Sequence, residues 1–228
     1  LPPSLDFATA AAVPLAALTA LQALQDELGL AAGQKVVISG GAGGVGTFAI
    51  QIAKWLGAHV TTTASPRGEA LVRALGADEV VDYTTDGLRG RGREFDAGFD
   101  LVGGTTLDEM FGVVKPGGKV VSVAALPEPQ TARRDLGGGV FLTALFWAIS
   151  FGIRRRARRA GVAYRYLFMH PSGSDLAQLA DLIERGVVRV VVDKSYPFAE
   201  IADALDYVER GRAKGKVVVV LGGAPAVA

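Results

Sequence analysis

Five of the seven residues from Gly40 to Gly46 are glycine, and they sit between the apolar run "KVVIS" (35–39) and an Ala/Ile-rich stretch. The spacing Gly41-x-Gly43-x-x-Gly46 after a strand and before a helix is the context of a dinucleotide-binding fingerprint. In that reading Gly41 permits the tight turn, Gly43 lets backbone approach a pyrophosphate, and Gly46 lets the helix pack closely. The helix N-terminus then presents unpaired N–H groups and a partial positive charge to the phosphates. A ligand-free glycine turn is the alternative. A Walker loop is excluded, because no Gly-Lys-Ser/Thr follows.

The rest of the chain supplies the surroundings that such a loop needs. Further strand candidates are 59–64, 79–83, 99–103, 119–124, 164–169, 188–193 and 216–221, and most are continuous apolar runs, as in strands buried on both faces. Helical patterns alternate with them at 45–56, 68–75, 107–113, 176–184 and 201–210. Strand and helix in alternation predict an α/β fold: a doubly wound parallel sheet of the Rossmann type. "KPGGK" (115–119) reads as a tight turn feeding a strand.

The second strand bears on which nucleotide binds. An NAD site places an acid near the end of that strand, to bond the ribose hydroxyls. Here the strand runs into "TTTASPRGEA", with Ser65 and Arg67 at the tip and no acid before Glu69. A hydroxyl and a guanidinium suit a 2′-phosphate, so NADP(H) is the expected cofactor; a solvated loop charge is the plainer reading of Arg67.

Composition excludes several classes. The 228 residues contain no Cys and two His, so disulfides, thiolate metal sites and His-rich metal sites are ruled out and no metal is expected. The absence of Cys fits a reducing compartment, and a cytoplasmic location is expected. The net charge of +1 gives no field that steers toward nucleic acid. Residues 136–174 nevertheless carry six Arg and no Asp, Glu or Lys, which puts +6 there and −5 on the remainder. The N-terminal stretch is apolar but lacks a basic region and has Pro2, Pro3, Pro14 and Asp6, so it reads as a helix entry and not a signal peptide.

Several stretches, taken in order, carry a family resemblance: "AAAVPLAALTALQAL", "GGAGGVGTFAIQIAKWLGA", "LGADEVVDY", "FDLVGG", "KPGGKVVSVA" and "ERGRAKGKVVV". The chain resembles the medium-chain dehydrogenase/reductase superfamily, and most of all its zinc-free, zeta-crystallin-like quinone oxidoreductase branch. "YRYLFMHPSGSDLAQLADLIERGVV" points within it to the reticulon-4-interacting oxidoreductase group. The resemblance implies NADPH-dependent reduction of quinones or activated alkenes, with a small-molecule substrate and hydride transfer without metal. It implies that Gly43, Gly44 and Val45 lie against the pyrophosphate, and that Ser65 and Arg67 hold the 2′-phosphate. Tyr83 would flank the adenosine phosphate. Val102, Gly103 and Gly104 would stand near the ribose, and Ser122, Val123 and Ala124 beside the nicotinamide ribose. Phe168 and Met169 would lie near the nicotinamide, with Thr19 facing that region, and Lys216 matches a late "GK". Core packing is the alternative for Tyr83, Phe168 and Met169. No catalytic residue is assigned, and the absence of Tyr-x-x-x-Lys argues against a short-chain dehydrogenase mechanism.

The chain also departs from the pattern. Family members begin with a β-rich substrate domain that has no counterpart here. The expected organisation is a linking helix (1–30), a dinucleotide-binding domain (31–196) and a C-terminal return segment (197–228) that would pack on the missing domain. A truncated chain, a partial gene product or a proteolytic remnant is expected, with an apolar surface left at its ends and a homo-oligomer as the consequence. "VFLTALFWAISFGIRRRARRAG" (140–161) reads as an apolar helix ending in five Arg among six residues. It would pack on the sheet edge or a subunit, or make contact with a membrane surface through 140–160. A catalytically inactive nucleotide-binding or scaffolding module is the alternative to an enzyme.

Overall fold

The computed structural model describes residues 4–85, 87–211 and 213–221; the ends of the expected 1–30 and 197–228 segments, and Arg212 of the "ERGRAKGKVVV" motif, lie outside them. The chain enters through α1 (Phe7–Ala11), α2 (Pro14–Leu21) and a π-helical turn over Gln22–Glu27. The Asp6 carboxylate caps α1 by accepting from the Thr9 amide at 2.7 Å, and Pro14 opens α2 where its missing N–H costs nothing. There follow β1 (Lys35–Ile38), α3 (Gly46–Trp55), β2 (His59–Ala64), α4 (Pro66–Ala74) and β3 (Glu79–Asp82). The second half holds β4 (Phe95–Asp100), α5 (Gly104–Val113), β5 (Val114–Ser122), α6 (Val140–Ile149), α7 (Phe151–Arg159), β6 (Ala163–Tyr166) and α8 (Gly173–Glu184). β7 (Val192–Pro197), α9 (Ile201–Glu209) and β8 (Lys216–Val220) close the described chain.

Among the described residues, six strands form a parallel sheet in the order β3-β2-β1-β4-β5-β6, and β7 and β8 pair as a separate parallel ribbon. The expected doubly wound Rossmann sheet is therefore present. Its central strands β1, β2 and β4 are buried on both faces, while the edge strands β3 and β6 are partly exposed. Val36 and Ile38 of β1 join a core with Leu18, Leu21, Phe48, Ile52, Leu179 and Leu182 from α2, α3 and α8. Val37 points the other way, to Leu107, Met110, Phe111, Ile153 and Ala157 from α5 and α7. That is why the strand sequences show apolar runs without alternation.

Several strand boundaries differ from the expectation: β4 and β5 begin earlier, at Phe95 and Val114, and β6 ends at Tyr166 and not at 169. β4 ends at Asp100 and not at 103, because the Asp100 carboxylate accepts from the Val102 and Gly103 amides and draws them into a turn. β7 starts at Val192 and not at 188. Val188 is buried in the main core, and pairing begins where β8 supplies a partner, Val192 opposite Lys216. "KPGGK" lies inside the span of β5, at a register shift against β4, where the Gly117 amide donates to Gly161 O. The 140–160 helix is two helices. Ser150 bonds back to Phe146 O at the break, a contact that bends helices. No residue of α6 is buried, so it does not pack on the sheet. Both ends expose large apolar side chains: Phe7 and Leu15 at the start, and Phe198, Ile201, Leu205 and Val208 near the end.

Candidate functional site

A cleft of about 1710 Å³ opens at the carboxyl ends of β1, β2, β4 and β5, where the strand order reverses between β1 and β4. Doubly wound sheets bind ligands at that position. Its floor is the glycine loop, lined by Gly43, Gly44, Val45 and Gly46. The loop is pinned to β2: the Gly40 amide donates to Thr63 Oγ1 at 2.9 Å and the Gly41 amide to Thr63 O at 3.0 Å. The glycines divide their work. A Cβ on Gly41 would stand 2.1 Å from Thr62 Oγ1, and one on Gly46 would stand 2.3 Å from Gly40 O. Both are therefore needed for packing, and Gly41 is buried away from the cleft. A Cβ on Gly43 would meet only Gly40 O at 3.3 Å, so packing alone does not demand glycine there. No side chain caps α3; the Thr47 amide donates to Gly43 O at 3.0 Å, while among the described residues the Gly44, Val45 and Gly46 amides have no acceptor within the chain and can meet an anion.

Ser65 and Arg67 meet the cleft at the start of α4. Ser65 is the N-cap, yet its side chain makes no capping bond, and the Gly68 amide takes Ser65 O instead at 2.8 Å. Glu69, the first acid after the strand, pairs with Arg73 at 2.9 Å and is not part of the cleft wall. Lys214, which sequence reasoning did not single out, lines the same corner and donates through Nζ to Arg67 O. It arrives there because the segment before β8 crosses the glycine loop. The Gly215 amide donates to Ala42 O at 2.9 Å, Gly215 bridges to Gly43, and the Lys216 side chain lies beside Gly44. The remaining cations of the wall are neutralised: Arg89 by Glu109 at 2.7 Å, and Arg91 by Glu79 and Glu94 at 2.6 and 2.8 Å. Among the described residues, Arg67 and Lys214 have no carboxylate partner.

The opposite wall is built by a buried carboxylate. Asp100 accepts from Ser39 Oγ at 3.0 Å, Ser122 Oγ at 2.7 Å and the Gly103 amide at 2.9 Å. The two hydroxyls in turn accept from the Leu101 and Ala124 amides. One carboxylate thus ties the ends of β1, β4 and β5 and sets Val102 and Val123 at the cleft. Gly103 has φ 77°, and a Cβ there would lie 2.5 Å from Ala124 O, so a side chain is barred on both counts. Asp100 was missed because "FDLVGG" shows it only as a polar residue beside a turn.

Of the expected site residues, Gly43, Gly44, Val45, Gly46, Ser65, Arg67, Tyr83, Val102 and Val123 line this cleft. Gly103 and Ser122 stand behind its wall, on Asp100, while Gly104 and Ala124 are exposed beside it. Thr19 is buried within α2, where Oγ1 donates to Leu15 O at 2.7 Å. Met169 packs against the main core, and Phe168 is exposed. Both are held near α2 through Gln22, which donates to His170 O at 2.9 Å and accepts from the His170 amide at 3.2 Å. Thr19, Phe168, Met169 and Lys216 are not part of the cleft wall. Among the described residues, no three His, Asp or Glu side chains gather in a group that could hold a metal ion.

The family model for zinc-binding dehydrogenases matches residues 75–219. The mitochondrial NAD(P)H oxidoreductase RTN4IP1 of Danio rerio is 40% identical over 227 residues, which cover 96% of this chain and 58% of that protein. The chloroplastic NADPH-dependent alkenal/one oxidoreductase of Arabidopsis thaliana is 34% identical over 222 residues, or 96% of this chain and 48% of that protein. Among solved structures, the quinone oxidoreductase from Coxiella burnetii superposes with a TM-score of 0.80 at 30% identity, over 95% of this chain and 62% of that one. The mycobacterial protein Rv1454c, solved in complex with NADPH, superposes with a TM-score of 0.76 at 27% identity, over 96% and 66%. The chain thus spans about 58% of the first of these relatives. With this match over most of its length and the doubly wound sheet around a glycine loop, the chain belongs to the zinc-binding dehydrogenase family of the medium-chain dehydrogenase/reductase superfamily.

Proposed function

We propose that the chain is the nucleotide-binding part of an NADPH-dependent oxidoreductase that reduces a quinone or an activated alkene. The observation that carries this reading is one cleft at the switch point that joins a glycine loop, an uncapped helix N-terminus and a corner made of Ser65, Arg67 and Lys214. The bound cofactor would supply a hydride. Gly43, Gly44 and the first turn of α3 would hold its pyrophosphate, and Ser65, Arg67 and Lys214 its 2′-phosphate. Tyr83, Val102 and Val123 would flank its sugars and base.

Residues 1–30 act as a linking helix, 31–196 as the dinucleotide-binding domain and 197–228 as a return segment. Hydride transfer without metal belongs to the same proposal. Self-association follows from the apolar side chains exposed at both ends, and residues 140–160 make contact with a membrane surface. A cytoplasmic location belongs to the reading; relatives named mitochondrial and chloroplastic set the alternative, and cell fractionation separates them.

Titration of NADPH and NADH by fluorescence tests the assignment. NADPH is expected to bind more tightly, and Arg67→Ala and Lys214→Ala should each reduce the preference by about 1–3 kcal/mol, the range for hydrogen bonds to charged groups. Equal affinities for the two cofactors in the unaltered chain would overturn it. NADPH oxidation with a panel of quinones and enones then identifies the acceptor.

A further inference from the structure

The segment 136–174 holds six Arg and no Asp, Glu or Lys. Within it, α6 runs for ten residues without a charge and without one buried residue. Phe141 is 93% exposed, and Val140, Leu145, Trp147 and Ile149 are exposed with it. A helix on a globular body normally turns one apolar stripe inward and a polar face outward. In α6 the partly covered side is narrow, Leu142, Thr143 and Phe146, and the remaining apolar side chains face solvent. α7 behaves conventionally: Ile153 and Ala157 are buried, and Arg155, Arg158 and Arg159 are exposed.

The two helices form one unit. The Arg154 guanidinium lies over the Trp147 ring at 5.5 Å and donates to Trp147 O at 2.8 Å, while Trp147 and Phe151 pack with centroids 5.8 Å apart. Arg156 is spoken for by Asp108 at 2.6 Å. Among the described residues, Arg155, Arg158 and Arg159 have no carboxylate partner.

What covers this unit must be apolar and negatively charged side by side. A second copy of the same unit brings the same exposed Arg155, Arg158 and Arg159 and no acid, so like charges oppose that pairing. Ten helical residues span about 15 Å, half of the roughly 30 Å hydrocarbon core, so α6 is too short to cross a bilayer. No helix among the described residues is long and apolar enough to do so. A helix of that length fits within one leaflet, with α6 among the acyl chains and the arginines at the phosphates. We propose that α6 and α7 together dock the chain on a bilayer surface rich in anionic phospholipid. The site is separate from the cofactor cleft, since no residue of α6 or α7 lines that cleft.

The test measures partition onto vesicles of phosphatidylcholine, alone or mixed with phosphatidylglycerol, by flotation at low and high salt. Trp55→Phe leaves Trp147 as the sole reporter of the chain's two tryptophans. Binding should be at least about tenfold stronger with phosphatidylglycerol and should weaken with salt. The Trp147 emission should shift to the blue and be quenched by brominated acyl chains. Phe141→Ser with Leu145→Ser, and separately Arg155→Glu with Arg158→Glu, should remove binding. All four residues are exposed, so circular dichroism and NADPH titration should not change. Absence of vesicle binding would overturn the proposal, as would binding indifferent to phosphatidylglycerol. Self-association that Phe141→Ser with Leu145→Ser abolishes, without vesicle binding, would assign the surface to a second copy instead.

Discussion

Replacing Asp100 probes the wall of the cleft most directly. The carboxylate is fully buried and holds the Ser39 and Ser122 hydroxyls and the Gly103 amide, none of which has access to solvent. Asp100→Ala leaves those three donors without an acceptor. Each orphaned donor costs about 1–3 kcal/mol, and a water entering the vacated volume would satisfy part of that, so the expected loss is about 3–5 kcal/mol. Asp100→Asn keeps the shape and one acceptor oxygen. That oxygen can serve the Gly103 and Val102 amides, whose direction is fixed, while the new NH₂ faces Ser122 Oγ, which can rotate. The expected loss is then about 1–2 kcal/mol, mostly of charge assistance. Against a typical total of about 5–15 kcal/mol, the alanine variant would be marginal and the asparagine variant folded. Urea unfolding followed by circular dichroism measures both. NADPH affinity of the asparagine variant should fall by less than about tenfold, because the Val102 side of the wall keeps its acceptor and only the Ser122 side loses one. An alanine variant within about 1 kcal/mol of the unaltered chain, or one no worse than asparagine, would refute the reasoning that one carboxylate holds three strand ends together.

The glycine loop separates packing from binding: Gly41→Ala, with its Cβ driven onto Thr62 Oγ1, should cost about 2 kcal/mol or more, whereas Gly43→Ala should stay within about 1 kcal/mol in stability and still weaken NADPH binding. Thermal melts and fluorescence titration distinguish the two. Arg165 is buried among Glu27, Glu128 and Asp135 at 3.2, 2.7 and 2.6 Å. Arg165→Met strands three carboxylates together and should cost about 3–5 kcal/mol at neutral pH, with partial recovery in mild acid as a carboxylate takes up a proton. Burial acts to raise the pKa of Asp78, but bonds from Lys54 Nζ and the Val60 amide outweigh it and hold the carboxyl below its usual range. A depressed folded value gives stability that is present above the unfolded value and lost as pH falls through the folded one. Asp78→Asn should therefore cost about 1 kcal/mol at neutral pH, a modest figure because the side chain is partly exposed, and the gap should close as pH falls below about 4. Unfolding midpoints across that range measure it.

Features set by local pattern were legible in the sequence. A parallel strand buried on both faces writes a continuous apolar run, and Gly41, Gly43 and Gly46 stand at fixed offsets from such a run. The sheet, its helices and the floor of the cleft follow from those signals. Boundaries that depend on a distant partner did not show. β7 begins where β8 meets it, and β4 ends where Asp100 turns back on its own amides. Asp100 also needs Ser39, 61 residues earlier, and Ser122, 22 residues later, before its burial makes sense. Lys214 reaches Arg67 across 147 residues, and nothing in "RAKGK" distinguishes it from Lys216. Helix α6 stayed open for another reason: apolarity in a sequence promises burial, but it does not say against what.

The charges of the cleft wall also say how an anionic ligand would lie. Arg89 and Arg91 count for little, because Arg89 is paired with Glu109 on the same wall and Arg91 with Glu79 and Glu94 behind it. Two uncompensated positive regions remain, the first turn of α3 and the Ser65 corner with Arg67 and Lys214. An anion with a single phosphate could satisfy one of them only. A dinucleotide with both a pyrophosphate and a separate 2′-phosphate satisfies both at once, and binding one end raises the effective concentration of the other. An acid at the end of β2 would cancel the second region. The chain instead places Ser65 there and turns Glu69 away to Arg73. The preference for NADPH over NADH would then rest on a corner shared by two parts of the chain, α4 and the approach to β8, so disrupting the Gly215 contact with the loop would erode cofactor choice without touching any residue of the glycine fingerprint.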